Sequence, residues 1–386
     1  MKRVLTFFQY LDTMNIGRTL LGKDPGKVVY HLAKDCGCSA AVVYPERNGE
    51  DISYPEFEEY VSIRKLRKAS SKIGELFRFF VFCLSQKHKF DILILFGVDM
   101  YVLVAAVLFR ICNRQAKVYM KADLSASRAI ELASPRTITG KIKKGARVLL
   151  ANLAVDLFSV ELECLFDLVK TSRPFRGKTI IVRNGFDHVA SIDEIPIAKK
   201  SVILTVGRMG TYQKNADLLV DAFASLPDEA TEGWELWLCG PLFTDSVDIT
   251  RLVAAHVAVK SSLTKKIKIL GNVPDRSEVF KLMAQARFFC LPSRWEGSAF
   301  VPLEASYFDA FYIGTDLPTC RELVETCGEG VFFPVGDVEA LSGHLLAAIR
   351  GDLVCTRAVE EKRARIRELH SWQTNVGFLF EKLTAR

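Results

Sequence analysis

Two carboxylates, Glu296 and Glu304, stand either side of seven residues in the stretch Pro292-Ser293-Arg294-Trp295-Glu296-Gly297-Ser298-Ala299-Phe300-Val301-Pro302-Leu303-Glu304. Carboxylates accept hydrogen bonds from hydroxyl groups, so such a pair suits a polyhydroxylated ligand, a sugar or a ribose. The apolar run Phe288–Leu291 reads as a buried strand that ends at Pro292-Ser293, and a helix is expected to begin near Pro302, a residue suited to a first helical turn. A parallel strand whose carboxyl end meets a helix N-terminus is where such sheets bind phosphates. Gly297 lets backbone approach a ligand closely. Glu296 in the loop and Glu304 in the first turns of the helix can then face one crevice from different heights.

The elements that must hold these residues follow from the hydrophobic pattern. Strand-length apolar runs alternate with helix-length segments along the whole chain, the signature of parallel α/β sheets. In the first half the expected strands are Val4–Tyr10, Ala40–Tyr44, Asp91–Phe96, Lys117–Met120, Val155–Val160 and Thr179–Val182. In the second they are Val202–Val206, Glu235–Cys239, Ile267–Leu270, Phe288–Leu291, Phe311–Gly314 and Val331–Phe333. Helical patterns such as Asn215–Leu226 and Ser277–Ala286 lie between them. Two sets of about six strands predict two doubly wound sheets. A chain of 386 residues is long for one core, which agrees. The expected division is residues 1–190, residues 191–371, and a terminal amphipathic helix over 372–386. The apolar stretch Ile92–Cys112 is long enough to suggest a membrane span, but Gly97 and Asp99 break it into a strand and a helix.

With the elements in place, a family resemblance emerges. The Glu pair in Pro-Ser-Arg-Trp-Glu-Gly resembles the signature of glycosyltransferase family 4, in particular enzymes of bacterial polysaccharide biosynthesis. Val206-Gly207-Arg208 and Gln213-Lys214-Asn215 resemble that family's diphosphate-binding Gly-Arg and Lys. Ile181-Val182-Arg183-Asn184-Gly185-Phe186-Asp187 resembles its interdomain segment, and Gly271-Asn272-Val273-Pro274 the loop beside the nucleotide base. Gly314-Thr315-Asp316 and Arg321-Glu322-Leu323 resemble the next strand and helix. The match spans roughly residues 180–350.

The resemblance implies the GT-B fold, two Rossmann-like domains facing each other across a cleft, and transfer of a hexose-type sugar from a UDP- or GDP-sugar with retained configuration. It implies roles for named residues. Arg208 and Lys214 would neutralise the donor diphosphate, Glu296 would hold sugar hydroxyls, and Glu304 the ribose. Gly207 and Val273 would line the donor, and the backbone from Gly297 through Ser298 and Ala299 to Phe300 would cradle the phosphates. Retention would proceed by front-face attack, with a donor phosphate oxygen taking the acceptor proton. No Asp-x-Asp metal clamp is found, so no metal and no cofactor is expected; preorganised cations can stabilise the departing diphosphate instead. The last helix would cross back to the N-terminal domain.

The first half is expected to bind the acceptor. After its first strand, Asn15-Ile16-Gly17 and Asp24-Pro25-Gly26-Lys27 form a long glycine-bearing loop leading into a helix, which resembles the family's first loop, the one that approaches the acceptor and the donor phosphates. Many relatives have a His after a central strand of this domain; the comparable stretch here is Tyr119-Met120-Lys121-Ala122-Asp123. Gly26, Lys121 and Asp123 are the acceptor-side candidates, an ordinary strand-end charge pair being the competing reading for the last two.

Composition narrows the partners. Residues 1–190 hold 30 Lys and Arg against 19 Asp and Glu, a balance of +11, whereas residues 191–386 hold 22 against 26, a balance of −4. A basic half suggests an anionic partner. Arg64–Lys89 carries eight basic residues and one acid, Glu75, with Ile73, Leu76, Phe77, Phe80, Val81 and Leu84 interleaved at helical spacing. This pattern fits a helix lying on an anionic membrane surface, or one with a core face and a solvated basic face. The 10 Cys show no zinc spacing and Met1-Lys2-Arg3 leads straight into a strand, so a cytoplasmic protein, peripheral at the inner face of the cell membrane, is expected. The expected acceptor is a glycan, lipid-linked, for cell-surface polysaccharide, and no nucleic-acid motif is present. Two other readings stand beside this one: a nucleotide-sugar epimerase or hydrolase on the same fold, and a non-catalytic protein that holds a membrane or another anion.

Overall fold

The computed structural model describes residues 1–8, 21–22, 24–46, 54–134, 137–186 and 190–385. The expected loop Asn15-Ile16-Gly17, the end of the first strand at Gln9 and Tyr10, and Asp187 lie outside the described residues. The chain forms two units, residues 1–185 with 370–386, and residues 186–369.

The first unit has a seven-stranded, all-parallel sheet in the order β3-β2-β1-β4-β5-β6-β7. The strands are β1 Arg3–Phe7, β2 Ser39–Pro45, β3 Val61–Leu66, β4 Ile92–Phe96, β5 Lys117–Lys121, β6 Leu157–Val160 and β7 Thr179–Ile181. The second unit has a six-stranded, all-parallel sheet in the order β10-β9-β8-β11-β12-β13. Its strands are β8 Lys200–Val206, β9 Glu235–Cys239, β10 Ile267–Gly271, β11 Ala286–Leu291, β12 Phe311–Thr315 and β13 Gly330–Phe333. The helices that matter below are α1 Asp24–Lys34, α2 Lys72–Ser85, α3 Met100–Cys112, α4 Ile138–Ala154, α5 Ala216–Ala224, α6 Arg276–Gln285, α7 Phe300–Tyr307 and α8 Trp372–Thr384. Two Rossmann-like doubly wound sheets are thus present, as the apolar pattern predicts.

Three expectations change. An additional strand, β3, lies inside the basic run: Val61-Ser62-Ile63-Arg64-Lys65-Leu66 pairs only with β2, at the sheet edge. Charged side chains are tolerated there, and they blunt an edge that would otherwise recruit another strand. Arg64–Lys89 is therefore not one helix; Arg64 and Lys65 sit on the strand and only Lys72–Ser85 is helical. Helix α7 starts at Phe300, two residues before Pro302, so the proline occupies its third position. Ile92–Cys112 is a strand followed by a helix, and among the described residues no helix is long and apolar enough to cross a membrane. All ten cysteines are free thiols.

The last helix completes the first unit. Helix α8 packs against α1 and buries Trp372, Val376, Leu379 and Leu383. Its anchor is backbone-close: a Cβ on Gly185 would stand 2.2 Å from the Trp372 ring, so only glycine lets the indole lie there. His370 Nδ1 meets the Asn184 carbonyl at 2.9 Å, and Asn375 Nδ2 donates to the Arg183 carbonyl at 3.0 Å. Trp372 is 4% exposed, and replacing a buried Trp by Ala typically costs about 3–5 kcal/mol. Trp372→Ala should lower the melting temperature of the first unit and expose α8 to early proteolysis. An unchanged melting profile would show that α8 adds little to that unit.

Candidate functional site

In an open parallel sheet, ligands bind at the carboxyl ends of the strands where the order reverses. In the second unit that reversal lies between the neighbouring strands β8 and β11. The two loops that leave them carry Arg208 and Lys214, and Glu296.

Backbone and amide contacts stitch these loops together. Arg294 N–H donates to the Gln213 carbonyl at 2.8 Å, and Gln213 Nε2 to the Trp295 carbonyl at 3.1 Å. Asn215 caps α5 in the left-handed region, φ 53°, a conformation asparagine tolerates better than most residues. Its buried Nδ2 donates to the Pro292 carbonyl at 3.1 Å, which ties the turn before α5 to the end of β11. Thr319 Oγ1 holds the Glu296 carbonyl from the far side at 3.2 Å.

This stitching brings Lys214 Nζ to 2.6 Å from Glu296 Oε1, with the two side chains 15% and 7% exposed. A partly buried pair of this kind is held in one geometry, unlike a surface pair. Lys214 has further N–H donors beyond the one used. The aliphatic stem of Lys214 lies against Gly207. Arg208 is exposed; its Nη2 donates to Gln213 Oε1 at 2.5 Å, and no carboxylate among the described residues pairs with it. Two cationic groups therefore flank one strand-to-helix turn.

Directly beyond Glu296, the N–H groups of Gly297, Ser298 and Ala299 donate to no acceptor among the described residues. Ala299 precedes α7 without a side-chain cap, and Phe300 is the first helical residue. Unshared N–H groups and a helix dipole give this end a positive potential that favours a nearby anion. Glu304, 6% exposed, pairs through Oε1 with Arg276 at the start of α6, while its Oε2 is buried without a partner. Arg276 was not among the sequence candidates. Its signal was its place, two residues past the Gly271–Pro274 loop and at a helix N-terminus. Val273 lies half-buried in that loop.

The acceptor-side candidates occupy the first unit and fall into a different environment. Lys121, at the end of β5, is 1% exposed, and its Nζ lies 2.6 Å from Glu161 Oε1. It is a buried ion pair rather than an exposed strand-end charge. Burial works against the ammonium, but Glu161, Tyr119 and Asp24 outweigh it and raise its pKa. Asp123 is exposed, with a left-handed φ of 46°. Gly26 sits in the first turn of α1, where a Cβ would stand 2.0 Å from the Leu21 carbonyl oxygen. Beside it, Asp24 accepts from Asn184 Nδ2 at 2.6 Å. Burial raises the Asp24 pKa to about 7, with Lys121 opposing and Asp123 and Glu161 reinforcing the rise. Asp24, Asn184 and Glu161 are the polar residues here that sequence reasoning did not single out as a site. Glu161 lies 40 positions from its lysine and only the pairing of β5 with β6 joins them.

Residues 190–368 match the sequence profile of the family described as glycosyl transferases group 1. The match covers nearly all of the second unit, residues 186–369. The chain is accordingly a transferase enzyme. Its fold is GT-B. Anabaena HepE, solved in complex with UDP and glucose, is 16% identical with a TM-score of 0.71, and all of each chain is covered. The sucrose-phosphate synthase of Thermosynechococcus elongatus is 16% identical with a TM-score of 0.67, over 99% of each chain. The lipopolysaccharide outer core galactosyltransferase WaaB, in its apo form, is 14% identical with a TM-score of 0.69, over 99% of this chain and all of that one. No curated protein sequence is significantly similar to the chain.

The Asp24 environment has a consequence for pH. Its folded pKa lies above the ordinary 3.8, so the folded protein keeps a proton that the unfolded chain releases. That contribution to stability is complete at pH values below the ordinary value and is lost as pH rises through about 7. Asp24→Asn, which keeps a carbonyl acceptor for Asn184, should melt closer to wild type at about pH 4 and increasingly above it toward about pH 8. A melting difference that does not change with pH would mean that Asp24 titrates normally.

Proposed function

We propose that this transferase is a retaining hexosyltransferase of glycosyltransferase family 4. It moves a hexose-type sugar from a UDP- or GDP-sugar to a glycan acceptor, lipid-linked, in cell-surface polysaccharide biosynthesis. The observation that carries this reading is the Lys214–Glu296 pair, held against the unshared N–H groups at the start of α7. The group 1 profile covers those residues, and HepE was solved with UDP and glucose on the same fold.

The chemistry follows from the charges. Breaking the bond between a sugar and a diphosphate loads negative charge on the leaving group. Arg208, the unused donors of Lys214 and the α7 terminus meet that charge with preorganised positive ends, which favours the transition state over the ground state. Glu296 does two things: it orients Lys214 through one oxygen and offers its remaining acceptor capacity to sugar hydroxyls. The buried, unpartnered Oε2 of Glu304 is an acceptor waiting for a hydroxyl donor, as a ribose would supply. The acceptor sugar is bound by the first unit, around Gly26 and Asp123, with the buried Lys121–Glu161 pair setting the local charge. No metal is required in this reading, since the cations are side chains.

Two measurements test it. Loss of a charged hydrogen-bond partner costs about 1.5–3 kcal/mol, roughly ten- to a hundredfold. Lys214→Ala should reduce transfer by at least that factor while circular dichroism stays native. Near-normal transfer by a folded variant would remove Lys214 from the site. Transfer should also persist in excess EDTA, and a complete loss that manganese or magnesium restores would put a metal into the reaction.

A further inference from the structure

The helices of the first unit divide between the two faces of its sheet. From β1 the chain steps through α1 to β2 in one direction, whereas α2, α3 and α4 precede β4, β5 and β6 in the other. Right-handed crossovers then put α1 on one face and α2, α3 and α4 on the opposite one. Helix α3 packs against both α2 and α4, so the three form one layer with α3 in the middle. Helix α8 covers α1 on the other face.

The outer side of this layer is apolar where a solvated helix layer should be polar. Helix α2 turns Glu75, Phe79 and Cys83 inward and leaves Ile73, Phe77, Val81 and Leu84 between 45% and 80% exposed. Their spacing of four, four and three places them in one stripe along the helix. Helix α4 buries Ala151 and Ala154 and leaves Ile138, Ile142, Leu149 and Leu153 between 59% and 78% exposed, again in one stripe. Ile111, at the end of α3, is exposed between them. Neighbouring helix axes lie about 8–10 Å apart, so the two stripes run about 16–20 Å from each other and point away from the sheet. Lone exposed apolar residues are ordinary; two parallel stripes on adjoining helices are a surface with a partner.

The charges identify the partner. Lys72 and Arg78 on α2, and Lys141 and Lys143 on α4, are exposed and pair with no acid among the described residues. A second copy of the chain would bring these cations against one another, which is costly. We propose that the α2–α3–α4 face is a docking platform for an anionic lipid bilayer, with both helices lying in the interfacial plane. Their apolar stripes enter the headgroup boundary while the lysines and arginine meet lipid phosphates. This deepens the proposed transfer to a lipid-linked acceptor, and rests on that reading for its purpose. It also extends the membrane contact beyond the basic segment Arg64–Lys89, because α4 lies outside it.

The test is co-sedimentation of the full chain with vesicles of phosphatidylcholine, with and without phosphatidylglycerol, at low and high salt. Wild type should pellet only with the anionic vesicles and less at high salt, where exposed charges are screened. Phe77→Ser with Val81→Ser, and separately Ile142→Ser with Leu149→Ser, should each weaken binding at least tenfold; these positions are exposed, so folding is retained. Lys72→Ser, Arg78→Ser, Lys141→Ser and Lys143→Ser together should lose roughly fivefold per residue. Undiminished binding by the α4 pair would overturn the two-helix platform. So would equal pelleting with neutral vesicles, an absence of pelleting, or a vesicle-free self-association that the same substitutions abolish. Donor binding is read in parallel as a melting shift across UDP-, GDP- and ADP-sugars. Wild type that keeps the donor shift without vesicle binding overturns the platform alone. Vesicle binding with no donor shift overturns the proposed sugar-nucleotide donor alone.

Discussion

Every strand in the two sheets runs parallel to its neighbours, and that constraint gathers all the strand-end loops of a unit at one edge. A parallel strand cannot turn back directly; it must return through a helix, so each loop at that edge leads toward a helix N-terminus. Where the strand order reverses, two such loops diverge and leave a crevice. In the second unit those are the loops after β8 and β11, and their mutual hydrogen bonds convert a topological gap into a site with fixed charges. The Lys214–Glu296 pair is the product of that geometry. Neither residue would be held in place by its own loop alone.

The first unit obeys the same constraint with a different outcome. Its corresponding edge holds Lys121 and Glu161 at the ends of adjacent strands, buried and mutually neutralised, with Asp24 close enough to feel both. Charge at this edge is kept in balanced form, whereas Arg208 in the second unit is left exposed with no carboxylate among the described residues to answer it.

The strands were legible because a parallel sheet is covered on both faces and its strands become continuous apolar runs. Edge strand β3 escaped for the converse reason: Arg64 and Lys65 are acceptable there, and they break the run that marks a strand. Glu296, Glu304, Arg208 and Lys214 could be picked out because each lies in a short local pattern. Arg276 and Glu161 could not, since what matters in each is a partner 28 or 40 positions away, brought near only by packing. The exposed stripe on α4 was hidden by its own lysines, which look in sequence like an ordinary solvated helix. Only the burial of its opposite side shows that the apolar residues are left over.

The return of α8 to the first unit makes the second unit an insertion. The chain leaves the first unit after Gly185 and re-enters at His370, and the two crossing points are hydrogen-bonded side by side through Asn184 and His370. During synthesis, then, the inserted second unit has its whole sequence available once Leu369 has emerged, while the unit that began first still lacks the helix that covers α1. The order of maturation is inverted: the part made second can finish first. Until Trp372 seats on Gly185, the nascent first unit presents the apolar side of α1 uncovered, which makes that interval the one in which a chaperone has most to protect.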